Sequence, residues 1–219
     1  MDQRRLFLLS SSEIYGDPDG RNIPTDEEYR GLVSCTGPRA CYDESKRFGE
    51  TMCWIYAKHH GVPLTIARPF NNYGPGMNPS DKRLPADFAK CIIDNRDIAI
   101  LSDGTPTRTF CYVSDAVTGY LLCLLHGRYD YFNIGIDRPE ISVRDFAKLF
   151  QTAGAEVFGY NGTVLYETSD DPHYLTDNPN RRCPQIRKAQ EKLGYKPQIF
   201  VESGVRRFLQ FLKYEGLCQ

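Results

Sequence analysis

The 219-residue sequence has almost no net charge, because 27 Lys and Arg stand against 28 Asp and Glu. Nucleic-acid-binding surfaces need an excess of basic residues, so this balance gives no support for a nucleic-acid partner. Long apolar runs are lacking too, and none approaches the roughly 20 residues of a membrane-spanning helix. The apolar part of the first nine residues is too short for a signal peptide, so we interpret residues 6–9 as a buried strand.

Paired cysteine motifs are also absent, although the sequence contains eight cysteines. None forms a Cys-x-x-Cys pair, and no Cys/His cluster has the spacing of zinc ligands, so we predict no metal site. Cys53, Cys91 and Cys123 fall in predicted helices among apolar neighbours. We therefore predict buried free thiols, a reducing compartment and a cytoplasmic location.

Apolar runs that are typical of buried strands alternate with segments of helical periodicity. The predicted strands or extended segments are 6–10, 63–68, 98–101, 109–113, 131–136 and 164–167. The predicted helices are 42–60, 84–95, 114–125 (capped by Ser114 and Asp115), 143–153 (capped by Ser142), 184–193 and 201–214. This alternation predicts an α/β fold with a parallel sheet.

Two short segments carry the residues suited to chemistry. The segment 10–16 reads Ser-Ser-Ser-Glu-Ile-Tyr-Gly and follows the first predicted strand, and Tyr42-Asp-Glu-Ser-Lys46 opens a helix. Tyr42 and Lys46 share one helix face, so the ammonium group is expected to favour the phenolate and lower the pKa of Tyr42 from about 10. Tyr42 is then suited to act as a general base, with Ser11 hydrogen-bonded to the same substrate hydroxyl. The trio indicates oxidation of an alcohol to a ketone, although Tyr-x-x-x-Lys alone also fits an ordinary helix surface.

Two more segments accompany this pair: Gly-Pro-Arg-Ala-Cys at 37–41 and Arg-Pro-Phe-Asn-Asn-Tyr-Gly-Pro at 68–75. Together the four resemble the extended short-chain dehydrogenase/reductase family, and more narrowly its NAD-dependent nucleotide-sugar epimerases, dehydratases and decarboxylases. The resemblance runs from Leu6 to about Lys213. Only ten residues precede Ser11, so the glycine-rich nucleotide loop of the family's first half is expected to be missing.

The resemblance implies a partial doubly wound, Rossmann-like parallel sheet without its first strands, and a smaller C-terminal substrate-binding lobe. Residues 1–75 would be the remnant of the dinucleotide-binding domain, and 76–219 mainly the substrate lobe, with 105–136 returning to the sheet. The partners implied are a nucleotide sugar and either a second copy, paired through helix 42–60, or a polypeptide that supplies the missing lobe.

The resemblance also assigns roles to residues. The catalytic residues would be Ser11, Glu13, Tyr42 and Lys46. NAD would be bound by Tyr42, Lys46, Arg68 and Asn72. The substrate would be bound by Ser12, Arg39, Asn71, Arg83, Arg108 and Arg181. Guanidinium groups suit diphosphates and carboxylates, which favours the arginines. The alternatives are ordinary ones: turn chemistry for the two asparagines, and solvated charges for Glu13, Arg83 and Arg108.

Ser12-Glu13 is similar to the UDP-glucuronate decarboxylases, whereas 4,6-dehydratases usually carry Asp-Glu. The resemblance then implies oxidation at C4 with NAD, loss of the sugar carboxylate as carbon dioxide, and reduction at C4. Leu101 departs from an aromatic residue often found before the family's Gly-x-Gly turn, so a UDP- or a TDP-sugar remains open. Three alternatives to decarboxylation also remain open: 4-epimerisation, 4,6-dehydration, and an inactive fragment or interaction module that needs a partner to bind NAD.

Overall fold

The computed structural model describes residues 5–169, 176 and 178–215. Its helices are α1 Ala40–His60, α2 Leu84–Ile93, α3 Val113–His126, α4 Val143–Phe158, α5 Arg187–Leu193 and α6 Val201–Tyr214. Its strands are β1 Leu6–Leu9, β2 Leu64–Pro69, β3 Asn72–Tyr73, β4 Ile98–Ile100, β5 Thr107–Arg108, β6 Cys111–Tyr112, β7 Asp130–Ile134, β8 Ile141–Ser142, β9 Val164–Tyr166 and β10 Arg181–Arg182. Two 3₁₀ turns, Ser12–Tyr15 and Gly20–Asn22, follow β1.

A three-stranded parallel sheet, in the order β1-β2-β7, lies between helices that pack on its two faces. Leu64 and Ile66 of β2 pack with Cys53 of α1 on one face. Ala67 and the β7 side chains pack with Cys123 of α3 and with α5 on the other face. Apolar residues on both faces of a strand are what a sheet covered by helices on both sides requires. The predicted α/β fold with a parallel sheet is confirmed.

A second apolar core lies between α2, α4 and α6, where Phe88, Phe146, Phe150 and Phe208 are fully buried. Phe110 stacks on Phe146 with ring centroids 3.7 Å apart, so the β5–β6 connection is anchored in this core. The two short strands β4 and β9 pair beside it. The division into a nucleotide-binding remnant and a substrate lobe at residue 75 remains a prediction.

Most helix ends follow the sequence signals. α1 and α5 end at Gly61 and Gly194, both left-handed, and Ser142 caps α4 by accepting the Asp145 N–H at 3.0 Å. The predicted cap of α3 was wrong: the helix begins at Val113 without a side-chain cap. Asp115 instead accepts the backbone N–H groups of 198 and 199, both at 2.8 Å, and so ties α3 to the segment before α6.

Two further boundaries differ from the prediction. The helix predicted over 184–193 begins only at Arg187, because Pro184 forms a β-bridge with Thr25. The helix predicted over 143–153 continues to Phe158 and ends at the left-handed Gly159.

The two edges of the central sheet differ. On β7, the Glu27 carboxylate accepts the outward Asn133 N–H at 2.9 Å, and the Asn133 amide donates to the Thr25 carbonyl at 2.9 Å. β1, by contrast, pairs only with β2 among the described residues. Its Leu6 and Leu9 are 51% and 44% exposed. One edge is therefore covered by the 25–28 segment and the other presents apolar side chains.

The seven described cysteines are all free thiols; Cys53, Cys111, Cys123 and Cys183 are buried. Cys91 is half-buried, so its predicted full burial was wrong, and Cys218 lies outside the described residues. Within the described ranges, no helix is long and apolar enough to cross a membrane. The same residues include no group of three or more His, Cys, Asp or Glu placed to hold a metal ion.

Candidate active site

Ser11 lies directly after β1, at the carboxyl end of the parallel sheet, where open α/β sheets place their ligands. It is extended and caps the following 3₁₀ turn, because its Oγ accepts the Glu13 N–H at 3.2 Å. The turn closes at Gly16, with φ of 62°. A Cβ there would lie 1.8 Å from the Leu32 carbonyl oxygen, so only glycine fits. The turn thus fixes Ser11, Ser12 and Glu13 at the strand end.

Helix α1 brings Tyr42 and Lys46 to the same corner. The Lys46 Nζ lies 5.6 Å from the centroid of the Tyr42 ring and donates a hydrogen bond to the Leu9 carbonyl at 3.0 Å. This bond joins the helix to the end of β1, two residues before Ser11. The Tyr42 side chain is 46% exposed, so a ligand can reach its phenol.

Glu13 lies between two guanidinium groups. Arg39, the residue before α1, donates from Nη2 to Glu13 Oε2 at 2.5 Å, and Arg182 on β10 donates from Nη1 to Oε1. Arg182 also approaches Ser12 Oγ, at 3.5 Å. Burial lowers the pKa of Arg182 to about 9, which still leaves the guanidinium charged at neutral pH.

Arg108 adds a third guanidinium beside this group, since it is the register partner of Arg182 in the β5–β10 pair. It donates to the backbone carbonyls of Thr107, Pro179 and Asn180 at 2.8, 2.5 and 3.2 Å. Burial lowers its pKa to about 10. None of the ion pairs found among the described residues includes Arg108. We call Glu13, Arg39, Arg108 and Arg182 the arginine cluster. The Asp17 and Glu140 carboxylates also act on Arg108, and Glu140 is paired with Arg181. The three positive charges of the cluster still exceed the carboxylates of Glu13 and Asp17, which suits the cluster to bind an anion.

The structure does not bring the predicted Arg181 into this cluster. Successive side chains of a strand point to opposite faces, so Arg181 and Arg182 separate. Arg181 bonds both oxygens of Glu140, at 2.9 and 2.7 Å, and its side chain is 44% exposed, whereas that of Arg182 is 5% exposed. Sequence reasoning did not single out Arg182, because the two-residue strand β10 was not predicted; a strand through both arginines would have been the signal. The substrate role of Arg181 stays a prediction.

Arg68, predicted to bind the cofactor, is occupied by the protein. Its Nε and Nη2 bond the Glu50 carboxylate, at 2.9 and 2.6 Å. Its Nη1 donates to the Tyr15 hydroxyl and to the Glu27 carbonyl, both at 2.7 Å. The guanidinium is thus committed to internal contacts, which give Arg68 a structural role, and its cofactor role stays a prediction.

The remaining predicted residues lie apart from the cluster. Asn71, with φ of 42°, donates its amide to the Thr109 carbonyl at 3.0 Å, which ties the end of β2 to the β5–β6 connection. The Asn72 amide donates to the Tyr120 hydroxyl, and its Oδ1 is buried without a partner. Arg83 bonds its neighbour Asp81 at 2.5 Å, with a side chain 61% exposed, so its predicted clamp on the substrate has no support here.

A comparison with protein families matches residues 1–135 to the NAD dependent epimerase/dehydratase family. The chain is 38% identical over 211 residues to UDP-glucuronic acid decarboxylase 1 of Xenopus tropicalis, covering 96% of this chain and 47% of that protein. It is 37% identical over 202 residues to UDP-glucuronic acid decarboxylase 3 of Arabidopsis thaliana, covering 92% and 55%. The chain thus spans about half the length of the curated relatives it matches.

Solved structures share the fold. UDP-glucose 4-epimerase from Thermotoga maritima, with UDP-glucose, superposes with a TM-score of 0.79 at 24% identity, over 97% of this chain and 64% of that one. UDP-glucuronic acid 4-epimerase from Bacillus cereus, with UDP-glucuronic acid and NAD, gives a TM-score of 0.74 at 23% identity, over 96% and 62%. On the family match over more than half its residues, the chain belongs to the NAD dependent epimerase/dehydratase family.

Proposed function

We propose that this chain carries the catalytic residues of an NAD-dependent nucleotide-sugar decarboxylase that converts UDP-glucuronate to UDP-xylose. The observation that carries the proposal is the arginine cluster next to the Ser11, Tyr42 and Lys46 corner. A sugar nucleotide with a carboxylate supplies the anion for which this cluster has surplus charge. The names of the curated relatives support the same substrate.

The residues at this corner fit the nicotinamide end of NAD. The exposed Tyr42 phenol, the Lys46 ammonium at the strand end and the buried, unpartnered Asn72 Oδ1 are polar groups that face the carboxyl edge of the sheet. Asn72 would bond the nicotinamide side and Lys46 the ribose. When bound, NAD supplies a hydride acceptor and donor for the sugar C4.

In this proposal Tyr42 accepts the proton of the 4-hydroxyl and returns it at the end of the reaction. Ser11 bonds the same oxygen and keeps it in line with the phenol. Lys46, fixed by the Leu9 carbonyl, keeps its ammonium group one helical turn from the phenol, with Nζ 5.6 Å from the ring centroid.

Arg39 and Arg182 would hold the sugar carboxylate, with Glu13 orienting both guanidinium groups. A carboxylate β to a ketone leaves readily as carbon dioxide, so the chain has only to hold it out of the ring plane. Water then supplies the proton that replaces carbon dioxide at C5, with Glu13 as the relay. Arg108, buried and facing the same side as Arg182, is placed to meet the diphosphate.

We further propose that a dinucleotide-binding segment, in the same polypeptide or in a partner, pairs with β1. The support is the uncovered β1 edge with Leu6 and Leu9, and an apolar stripe on α3 formed by Val117, Leu121 and Leu125. A strand with apolar residues on both faces is typical of a sheet interior rather than an edge. Exposed Phe48, Trp54 and Tyr56 on α1 support a homodimer.

The seven free thiols of the described residues support a cytoplasmic, reducing location.

The test incubates the purified chain, alone and with a dinucleotide-binding half from a relative, with NAD and UDP-glucuronate. Chromatography that separates 4-epimers, followed by mass spectrometry, identifies the nucleotide sugar. We expect UDP-pentose and carbon dioxide from the wild type, and a loss of at least 100-fold in rate for Tyr42→Phe, which keeps the ring and removes the acid–base group. Formation of UDP-galacturonate without loss of mass would replace the decarboxylase by a 4-epimerase.

Calorimetry with NAD tests the alternative that the chain is an inactive fragment or interaction module that needs a partner to bind NAD. If NAD fails to bind both alone and after addition of a dinucleotide-binding half from a relative, the chain is not an enzyme of this class. NAD binding that appears only with the added half would support the proposed pairing at β1.

A further inference from the structure

We infer that Glu50 and Ser10 are positioning residues, which hold the helix with Tyr42 and Lys46 against the strand end with Ser11. This inference rests on the proposed function of that corner. Glu50 lies on the same face of α1 as Lys46, one turn further on, and thus over the ends of β1 and β2. The Ser10 hydroxyl donates to Glu50 Oε1 at 2.6 Å.

Two successive turns of α1 therefore bind two successive residues of one strand end. Lys46 holds the Leu9 carbonyl at 3.0 Å, and Glu50 holds the Ser10 hydroxyl. Ser11 is the next residue, and its Oγ accepts the Glu13 N–H. The bonds of Leu9 and Ser10 to α1 therefore set the position of Ser11 relative to the helix. The distance between the Ser11 and Tyr42 hydroxyls follows from this double attachment.

Arg68 makes the Glu50 end of the attachment rigid. Besides its two bonds to the carboxylate, its guanidinium lies over the Tyr131 ring at 4.8 Å and bonds Tyr15. Burial opposes its charge, but the hydrogen bonds and the charge of Glu50 outweigh burial and raise the pKa of Arg68 above its usual range. A carboxylate held from both sides has no alternative rotamer without leaving a buried charge unpaired.

Rigid attachment matters because proton transfer depends on closely set distances. Misplacement of a catalytic group by about 1 Å can lower a rate on the order of 100-fold. A network whose bonds end one residue before Ser11 and one turn after Lys46 is placed to prevent that misplacement.

The experiment uses three variants of the whole chain. Glu50→Gln removes the charge and keeps the shape, and Ser10→Ala cuts only the bond to the strand while the Glu50–Arg68 pair stays intact. Tyr15→Phe is the matched control, because it removes another Arg68 partner that does not reach β1. Unfolding by urea ranks all three for stability.

The rate of UDP-pentose formation is the first measurement, with UDP-glucuronate varied. We expect Glu50→Gln and Ser10→Ala to lower kcat at least 10-fold with KM within threefold of wild type, and Tyr15→Phe to lower kcat less than threefold. Glu50→Asp, which restores the charge, should recover part of the loss. If the losses of kcat in the three variants are proportional to their losses in the free energy of unfolding, the inference is overturned.

Amide NMR shifts provide a measurement that needs no activity. Ser10→Ala should move the Ser11 and Glu13 signals more than Tyr15→Phe does, and equal or smaller movement would overturn the inference. A wild type that forms no UDP-pentose, either alone or with an added dinucleotide-binding half, refutes the proposed function, and the NMR comparison then decides the positioning role alone.

Discussion

Adjacent arginines on β10 have opposite environments, and this difference lies at the scale of single residues. Arg182 bonds Glu13 inside the molecule, while Arg181 bonds Glu140 at its surface. The family resemblance assigned Arg181 to the substrate, but the sequence did not show which of the two arginines faces inward. Only the register of β10 beside β5 decides that.

Conservative substitution of each arginine tests the assignment. Arg182→Lys should lower kcat/KM by about 10- to 100-fold, because a single ammonium cannot reproduce a charge-assisted guanidinium bond in a buried site. Arg181→Lys is the matched control and should lower it less than threefold. Production of UDP-pentose by both variants is the measurement, and similar losses would contradict the separation.

The buried carboxyl group of Glu27 makes the stability of the folded protein depend on pH. Burial raises the pKa of its carboxyl, and the Asn133 N–H opposes this only in part. The folded protein thus keeps this proton to a higher pH than the unfolded chain, so the contribution of Glu27 to stability falls as pH rises above about 4.3. Glu27→Gln should gain stability relative to wild type as pH rises from 4 to 7. Urea unfolding at each pH measures this, with exposed Glu28→Gln as control; a constant difference would contradict it.

At the scale of elements, the sequence located long helices well and short strands poorly. α6 and the end of α1 follow from apolar periodicity and a terminal glycine. The two-residue strands β3, β5, β6, β8 and β10 are too short to show a period of two. The structural role of Arg68 was not predicted for a related reason: its partners Glu50, Tyr15 and Glu27 come from distant segments, which no local pattern reveals.

The caps of α4 and α3 provide a matched pair of serines. Ser142→Ala should cost about 1 kcal/mol in the free energy of unfolding, because it removes the acceptor for the Asp145 N–H. Ser114→Ala should change it by less than about 0.5 kcal/mol, since α3 has no side-chain cap. Urea denaturation compares them, and equal costs would show that Ser114 has a role beyond the contacts described.

At the scale of the whole molecule, the sequence predicted the parallel sheet and the corner with Ser11, Tyr42 and Lys46, since both rest on strand-helix alternation and helical spacing. It did not predict the arginine cluster, which needs β10 to return beside β5. It predicted that a sheet without its first strands would leave an edge open, as β1 does, but not that Glu27 would cover β7 at the other edge.

The open edge predicts association. Leu6→Lys should reduce self-association in light scattering at high concentration, because a charge on an edge strand disfavours pairing with another strand. Leu165→Lys, on the short strand β9, is the control for a similarly exposed leucine and should change it little. If both variants associate like the wild type, the β1 edge is not the contact.

The parallel order of the sheet also affects how the chain acquires its structure on the ribosome. Leu6 pairs with Leu64, and Thr65 in turn pairs with Asp130, so no strand of the sheet has a neighbour close to it in sequence. At roughly 5–20 residues per second of synthesis, β1 emerges several seconds before β2 exists to pair with it. During that interval its four apolar residues are available to chaperones, and sheet formation is a late, non-local step in the folding of this molecule.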